Sequence, residues 1–367
     1  MSDLPVHQIV AMWGFGLGIG FGVLAHRTNF CTMGAISDIA LLGDFRRFRA
    51  WLLAIAVAVA GTQTFGALGL VDLGKTIYAT PNFGWLGAIA GGLMFGFGMT
   101  LAGGCGSKTL VRLGAGNLKS LLVMLVLGLF AYMTLRGLIA AGRIATIEPT
   151  NLDLRTLGAQ TQLLPALIVT ATGLETQFAQ RTASVLVIAF LAWVCFKDSS
   201  FRKSPRNIAA GIGIGLLTVA GWYATGIAGN DDFEPSPLAS FTFVAPIGDT
   251  LIYLMTWTGA KIGFGVASVF GVVLGAFVAA KTAREFRIES FAGTDDMLRH
   301  LAGAALMGTG GVLALGCTIG QGVTGLSTLA LGSLLAFGSI VCGGLFGMKY
   351  LEHGAFVPAF KALAART

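Results

Sequence analysis

Long apolar runs, broken by short polar gaps, set the pattern of this chain. A helix needs about 20 largely apolar residues to cross the hydrocarbon core of a bilayer. Nine runs approach that length, at 9–25, 51–70, 85–103, 118–138, 181–196, 208–227, 262–280, 298–316 and 332–350. The pattern therefore predicts an all-α integral membrane protein with about nine transmembrane helices. Four other stretches, 28–42, 106–116, 241–257 and 318–331, are half-apolar and rich in Gly and Thr. Each is too short to span and too apolar for an ordinary loop, which predicts re-entrant half-helices buried in protein. The stretch 148–180 is only intermittently apolar. It reads as an outer loop with an amphipathic helix or as part of a further span.

The runs repeat. Residues 90–105 (AGGLMFGFGMTLAGGC) and 302–317 (AGAALMGTGGVLALGC) align without gaps at an offset of 212, with eight identities in sixteen positions. Fainter matches follow, KSLL at 119–122 with GSLL at 332–335 and FCTMGAISD at 30–38 with FTFVAPIGD at 241–249. Two halves result: 1–140 is a first repeat, 141–205 an outer loop and linker helix, and 206–367 a second repeat with a C-terminal tail. Each half has four spans and one span lies between them, so the second half enters the membrane from the opposite side. Inverted repeats of this kind build many secondary transporters and channels, with sites near the midplane where helices break.

Composition agrees with the pattern. Of 367 residues, 55% are apolar and 11% are Asp, Glu, Lys or Arg, against about 25% charged in soluble domains. The net charge of +7 and a pI near 9.3 would fit a nucleic-acid binder, but position argues otherwise. Basic residues cluster in the short gaps, as at Arg46, Arg47 and Arg49 or Lys197, Arg202, Lys203 and Arg206. With the N-terminus outside, 18 of the 24 Lys and Arg fall on the inner side. By the positive-inside rule the N-terminus is periplasmic and the C-terminus cytoplasmic, in a multi-pass protein of the inner membrane. The tail MSDLPVHQ carries no basic n-region, so the first span is not a secretory signal. The partners expected from composition are the lipid bilayer and a small solute, with no nucleic acid.

The 54 glycines have no collagen period. Gly14, Gly18 and Gly22 lie one helical turn apart, as do Gly92 and Gly96, Gly211 and Gly215, and Gly259 and Gly263. Small residues at that spacing let helix backbones approach closely in lipid. GGCGSKT at 103–109 lacks the glycine before lysine that a phosphate loop needs, and no strand precedes it. Five cysteines without a Cys-x-x-Cys pair exclude a disulfide scaffold and a zinc site. No cofactor and no metal is expected.

Three cysteines fall at the broken segments: Cys105 and Cys317 at repeat-equivalent positions, and Cys31, whose counterpart is Thr242. Cys195 and Cys342 lie inside spans and fill space. A thiol buried in apolar surroundings keeps its proton. It is then a weak S–H donor and a soft surface, suited to a sulfur-containing or other soft ligand. Three in a row would hold a ligand loosely enough to pass it on. Lys108, three residues after Cys105, and Arg27, four before Cys31, are weaker candidates to support an anion. So are Asp38 and Asp249, equivalent acids that could couple protons or cap the half-helices.

These residues resemble the YeeE/YedE sulfur-transport family, through RTNFCTMGA at 27–35, GFGMTLAGGCGSKTL at 96–110 and GVLALGCTIGQGVTG at 311–325. The resemblance covers nearly the whole chain. It implies nine spans in an hourglass-like molecule of two inverted halves, with a waist lined by Cys31, Cys105 and Cys317. It further implies inward passage of thiosulfate by relayed S–H contacts and work with a small cytoplasmic TusA-like sulfur-carrier protein. Some relatives are linked to selenium compounds. A non-enzyme is expected. The alternatives are a soft-metal or selenium-compound transporter, for which Met33, Met94 and Met99 lie near in sequence, and a membrane sulfurtransferase with a persulfide on Cys105.

Overall fold

The computed structural model describes residues 5–231, 236–355 and 357–358. The start of the N-terminal tail, the acids of the 229–237 loop between 232 and 235, and most of the C-terminal tail lie outside the described residues. Fifteen α-helices carry the described chain: α1 Val6–Thr28, α2 Thr32–Ser37, α3 Arg46–Ala67, α4 Trp85–Leu101, α5 Gly106–Gly114, α6 Leu118–Arg136, α7 Leu138–Thr146, α8 Leu164–Thr172, α9 Thr176–Phe196, α10 Ser199–Arg202, α11 Pro205–Gly226, α12 Val244–Met255, α13 Phe264–Thr282, α14 Thr294–Leu313 and α15 Leu331–His353. Two short strands, β1 Asn82–Phe83 and β2 Leu152–Asp153, pair antiparallel. Almost all backbone polarity is thus satisfied inside helices, as a bilayer requires.

Eight stretches among the described residues are long and apolar enough to cross a membrane. Nine were expected. The difference is α14, a 20-residue helix whose first two turns contain Asp295, Asp296, Arg299 and His300. Those charges gather at one end of the helix, while its remainder buries Gly303, Ala304, Met307, Gly308 and Gly310. The one complete α-helix within the 148–180 stretch is α8, nine residues long and too short to span.

The long helices pack in reciprocal pairs. α1 runs along α13 and α11 along α3, while α4 runs along α15 and α6 along α14. α4 also packs on α14, and α1 on α11. Glycine sets the closeness of these contacts. A methyl group added at Gly22 would sit 2.3 Å from the Val272 carbonyl oxygen of α13, and one at Gly96 would sit 2.1 Å from that of Ile340 in α15. Gly14 and Gly18 likewise face α13 backbone, and Gly211 and Gly215 face α3. Gly259 and Gly263 do not belong to this set. Both precede α13, and neither has an atom within 4 Å of the position a β-carbon would take.

Basic residues collect at one end of the bundle. There Arg27 donates to Thr282 at 2.8 Å, Lys119 to Asp296 at 2.7 Å, and Arg49 pairs with Asp198. The Leu118 N–H donates to the Glu289 carbonyl and the Arg287 N–H to that of Ala115. At the opposite end β1 and β2, α7 and α8 form a cover. There the Leu164 N–H donates to the Leu329 carbonyl and the Leu331 N–H to the Gln162 carbonyl. Between the ends lies a continuous core that includes Cys105, Cys317 and the aromatic rings of Phe21, Phe241 and Phe243.

Candidate functional site: three thiols at matched helix breaks

Cys31, Cys105 and Cys317 share one local geometry. In each case a long helix ends, a residue turns left-handed, and the cysteine follows two positions later; at Cys317 the intervening Gly316 also has a positive φ, 159°. The turning residues are Asn29 at φ 54°, Gly103 at φ 70° and Leu315 at φ 56°. In each case the residue just before the cysteine donates its N–H five positions back: Phe30 to Ala25 at 3.1 Å, Gly104 to Met99 at 2.9 Å, and Gly316 to Gly311 at 2.7 Å. This closure of a helix C-terminus satisfies carbonyls that would otherwise be orphaned. A second helix starts at once. The carbonyls of Cys31, Cys105 and Cys317 accept from Ala35, Thr109 and Gln321 at 3.0, 2.9 and 2.8 Å. Beyond Cys317 the second helix widens into a π-helical run, Gly320–Gly325, a form often found at functional sites.

Leucine is an unusual choice for the left-handed turn, which costs a residue with a β-carbon roughly 1–2 kcal/mol. Leu315 is also half exposed, so it recovers little by burial. Its counterpart at the 212 offset is Gly103. Replacing Leu315 by glycine should therefore raise thermal stability by roughly 1 kcal/mol, a gain readable as a higher melting temperature of the detergent-solubilised protein. An unchanged or lower melting point would show that the leucine side chain contributes a contact that outweighs the turn.

The three thiols are 7%, 0% and 0% exposed. Cys31 and Cys105 are side-chain neighbours, and Cys105 lies near Cys317. Each sulfur also has a polar neighbour. The Gly34 N–H donates to Cys31 Sγ at 3.5 Å, Cys105 Sγ and Ser107 Oγ are 3.3 Å apart, and the Gly320 N–H donates to Cys317 Sγ at 3.4 Å. Phe243, ahead of α12, also neighbours Cys317. Thr242 meets the same junction: its hydroxyl would be 2.5 Å from a β-carbon at Gly320. The starts of four helical segments thus converge, three carrying thiols and the fourth carrying the threonine that corresponds to Cys31. Helix starts expose free N–H groups and partial positive charge.

Of the weaker candidates, Lys108 belongs to this cluster. It interacts electrostatically with Cys31 and Cys105, and Nζ donates to Asn29 Oδ1 at 2.5 Å, bridging two of the breaks. Arg27 turns to Thr282 of α13 instead. Asp38 pairs with Arg47 at 3.2 Å, and Asp249 borders a cavity of about 500 Å³ at the start of α12 that also touches Thr242 and His7. Sequence reasoning missed Arg47, grouped there with the basic loops. Its guanidinium lies against Gly34, one turn beyond Cys31. It missed Asn29 too, although an asparagine two residues before a cysteine is a readable helix-end signal. Cys195 is buried and donates to the Arg49 carbonyl at 3.3 Å, and Cys342 is exposed. Among the described residues no group of three His, Cys, Asp or Glu side chains could hold a metal ion.

Comparisons with known proteins point to sulfur transport. A family profile described as sulphur transport matches residues 27–346, a range that includes all three cysteine breaks. The chain is 29% identical over 320 residues to the thiosulfate transporter TsuA of Escherichia coli, covering 84% of this chain and 86% of that protein. It is 28% identical over 336 residues to the TsuA of Spirochaeta thermophila, covering 87% and 92%. A shorter match, 35% over 100 residues, covers 27% of this chain and 23% of a probable transporter, YedE of Escherichia coli.

Proposed function

Because this multi-pass membrane chain belongs to the sulphur-transport family and transports a sulfur compound, we propose that the compound is thiosulfate, handed inward across the inner membrane between Cys317, Cys105 and Cys31. The observation that carries this reading is the meeting of three buried thiols at helix breaks of one geometry. A thiol S–H donates to the outer sulfur of thiosulfate, while the helix starts offer N–H groups and positive potential to its charge. Each contact is weak and the three lie in series, which suits passage better than capture. The sealed thiols make this a closed passage, so side chains at the waist must part for the ion to move.

The same reading includes the architecture. Two inverted halves, 1–140 and 206–367, are supported by the 212 offset, which relates the sequences, the left-handed turns at Gly103 and Leu315, and the closing hydrogen bonds of Gly104 and Gly316. The reciprocal packing of α1 on α13 and α11 on α3 has the same symmetry. In this arrangement α2, α5, α12 and the π-helical run are re-entrant half-helices. The basic end faces the cytoplasm, consistent with its Lys and Arg. A small TusA-like sulfur carrier is the proposed cytoplasmic acceptor, on the strength of the family resemblance.

Lys108 would supply the full positive charge beside Cys31 and Cys105. Lys108→Gln should reduce uptake at low thiosulfate by about tenfold, the size of one lost contact to a charged group, with normal amounts of protein in the membrane. Equal uptake would remove Lys108 from the path. The reading as a whole is tested by expressing the chain in a bacterium that lacks its own sulfate and thiosulfate importers. Growth on thiosulfate as sole sulfur source supports it, and failure to grow despite membrane-inserted protein rejects it.

A further inference from the structure

Two buried hydroxyls at the site have no partner. Thr32 follows Cys31 and Thr318 follows Cys317, each the first residue of the helix after the break; they are 2% and 0% exposed, and neither Oγ1 makes a hydrogen bond. Most buried threonines inside helices solve this problem within their own helix, with Thr62 of α3 an exception whose hydroxyl also lacks a partner. Thr100, Thr109, Thr134, Thr218 and Thr250 each donate to the carbonyl four residues back, at 2.6–3.1 Å. For Thr32 and Thr318 that route is closed, because the residue four back belongs to the preceding helix or its turn. The break that exposes each thiol therefore also leaves a free hydroxyl beside it. The Cys105 thiol approaches Thr318 Oγ1 without hydrogen-bond geometry, a weak partner at most, so this hydroxyl stands beside two of the three thiols.

The geometry points to Thr32 and Thr318 as substrate-positioning residues, whose hydroxyls donate to the oxygens of the transported anion while the neighbouring thiols meet its sulfur. This rests on the thiosulfate reading and refines it. A thiol suits a soft, polarizable acceptor and a hydroxyl a harder oxygen. Sulfate offers only oxygens and hydrosulfide only sulfur. An anion with a terminal sulfur at one end and oxygens at the other satisfies both halves of a Cys–Thr pair. The site thus selects for sulfur oxyanions with an exposed sulfur atom. An unpaired buried hydroxyl is costly to the substrate-free protein, and the cost is relieved only while such an ion is present.

The test is uptake of labelled thiosulfate by proteoliposomes of the full chain, for the parent and for Thr32→Val, Thr318→Val, Thr32→Ser and Thr318→Ser. Valine keeps the shape and removes the hydroxyl. The expected result is a KM for thiosulfate raised roughly tenfold or more in each valine variant, as for a lost hydrogen bond to a charged group. The serine variants should stay within about twofold of the parent. A purely structural hydroxyl would lower the melting temperature when removed, whereas here the valine variants should melt at or above the parent's temperature. Valine variants with the parent's KM, or with lowered melting temperature and unchanged KM, overturn the assignment while leaving thiosulfate transport standing. A parent that takes up no thiosulfate overturns both.

Discussion

Alanine in place of Cys105 or Cys317 should stop the proposed thiosulfate uptake while leaving the protein folded in the membrane. Both side chains are fully buried, yet each loses only one sulfur atom on truncation, and a small cavity destabilises by far less than a failed packing contact. On the proposed relay the effect on transport is larger, because the thiols would act in series. Removing one leaves a step with no S–H donor between its neighbours, so the loss should exceed a hundredfold, beyond what one weak contact would contribute in isolation. Cys195→Ala serves as the control, since that thiol serves the Arg49 carbonyl and sits apart from the breaks. Initial rates of labelled thiosulfate uptake into vesicles, normalised to protein, give the answer. Full rates in both Cys105→Ala and Cys317→Ala would remove the thiol relay from the account.

Valine at Gly22 should abolish accumulation of folded protein. The β-carbon alone would lie 2.3 Å from the Val272 carbonyl oxygen and 2.8 Å from the Ala276 backbone nitrogen. Both obstacles are backbone atoms of α13, so no side-chain rotation relieves the overlap. Overpacking of a core costs about 1–3 kcal/mol when side chains can yield, and here two helices must separate along their longest contact. Gly16, one face away on the same helix, has open space where a β-carbon would stand. Gly16→Ala should therefore accumulate and melt like the parent. Fluorescence-detected size-exclusion chromatography distinguishes the pair, and a monodisperse, thermally normal Gly22→Val protein would contradict this account of helix packing.

The spans were legible because bilayer crossing imposes a length and an apolarity that no other role combines. The helix starts and breaks were legible only where chemistry marked them. Gly103, Asn29 and the repeated Gly-x-Cys and Asn-x-Cys spacings carry a readable end signal, but Leu315 does not: nothing in a leucine announces a left-handed turn, and only its equivalence to Gly103 would have raised it. α14 fell short of the apolar threshold because four charged or titratable residues occupy its first turns. The glycine faces at Gly14, Gly18 and Gly22 followed from spacing alone. Gly259 and Gly263 matched the same spacing without lying in an α-helix, since periodicity implies a face only where the chain is α-helical.

At the site the cysteines could be singled out from the repeat and the breaks. The hydroxyls of Thr32 and Thr318 could not, because a threonine's need for a partner depends on whether a carbonyl lies four residues back in a continuous helix. Arg47 was hidden for another reason. A basic residue in a loop cluster reads as an orientation signal, and its contact with Gly34 depends on how α2 folds back against α3.

Flux through the purified chain alone tests most directly whether thiosulfate passes by way of the three thiols. Proteoliposomes containing the protein should accumulate labelled thiosulfate saturably, with sulfate a poor competitor and with prior alkylation of the thiols blocking entry. Empty-liposome rates for the parent chain, or full rates after the three site thiols have been modified, would contradict that route.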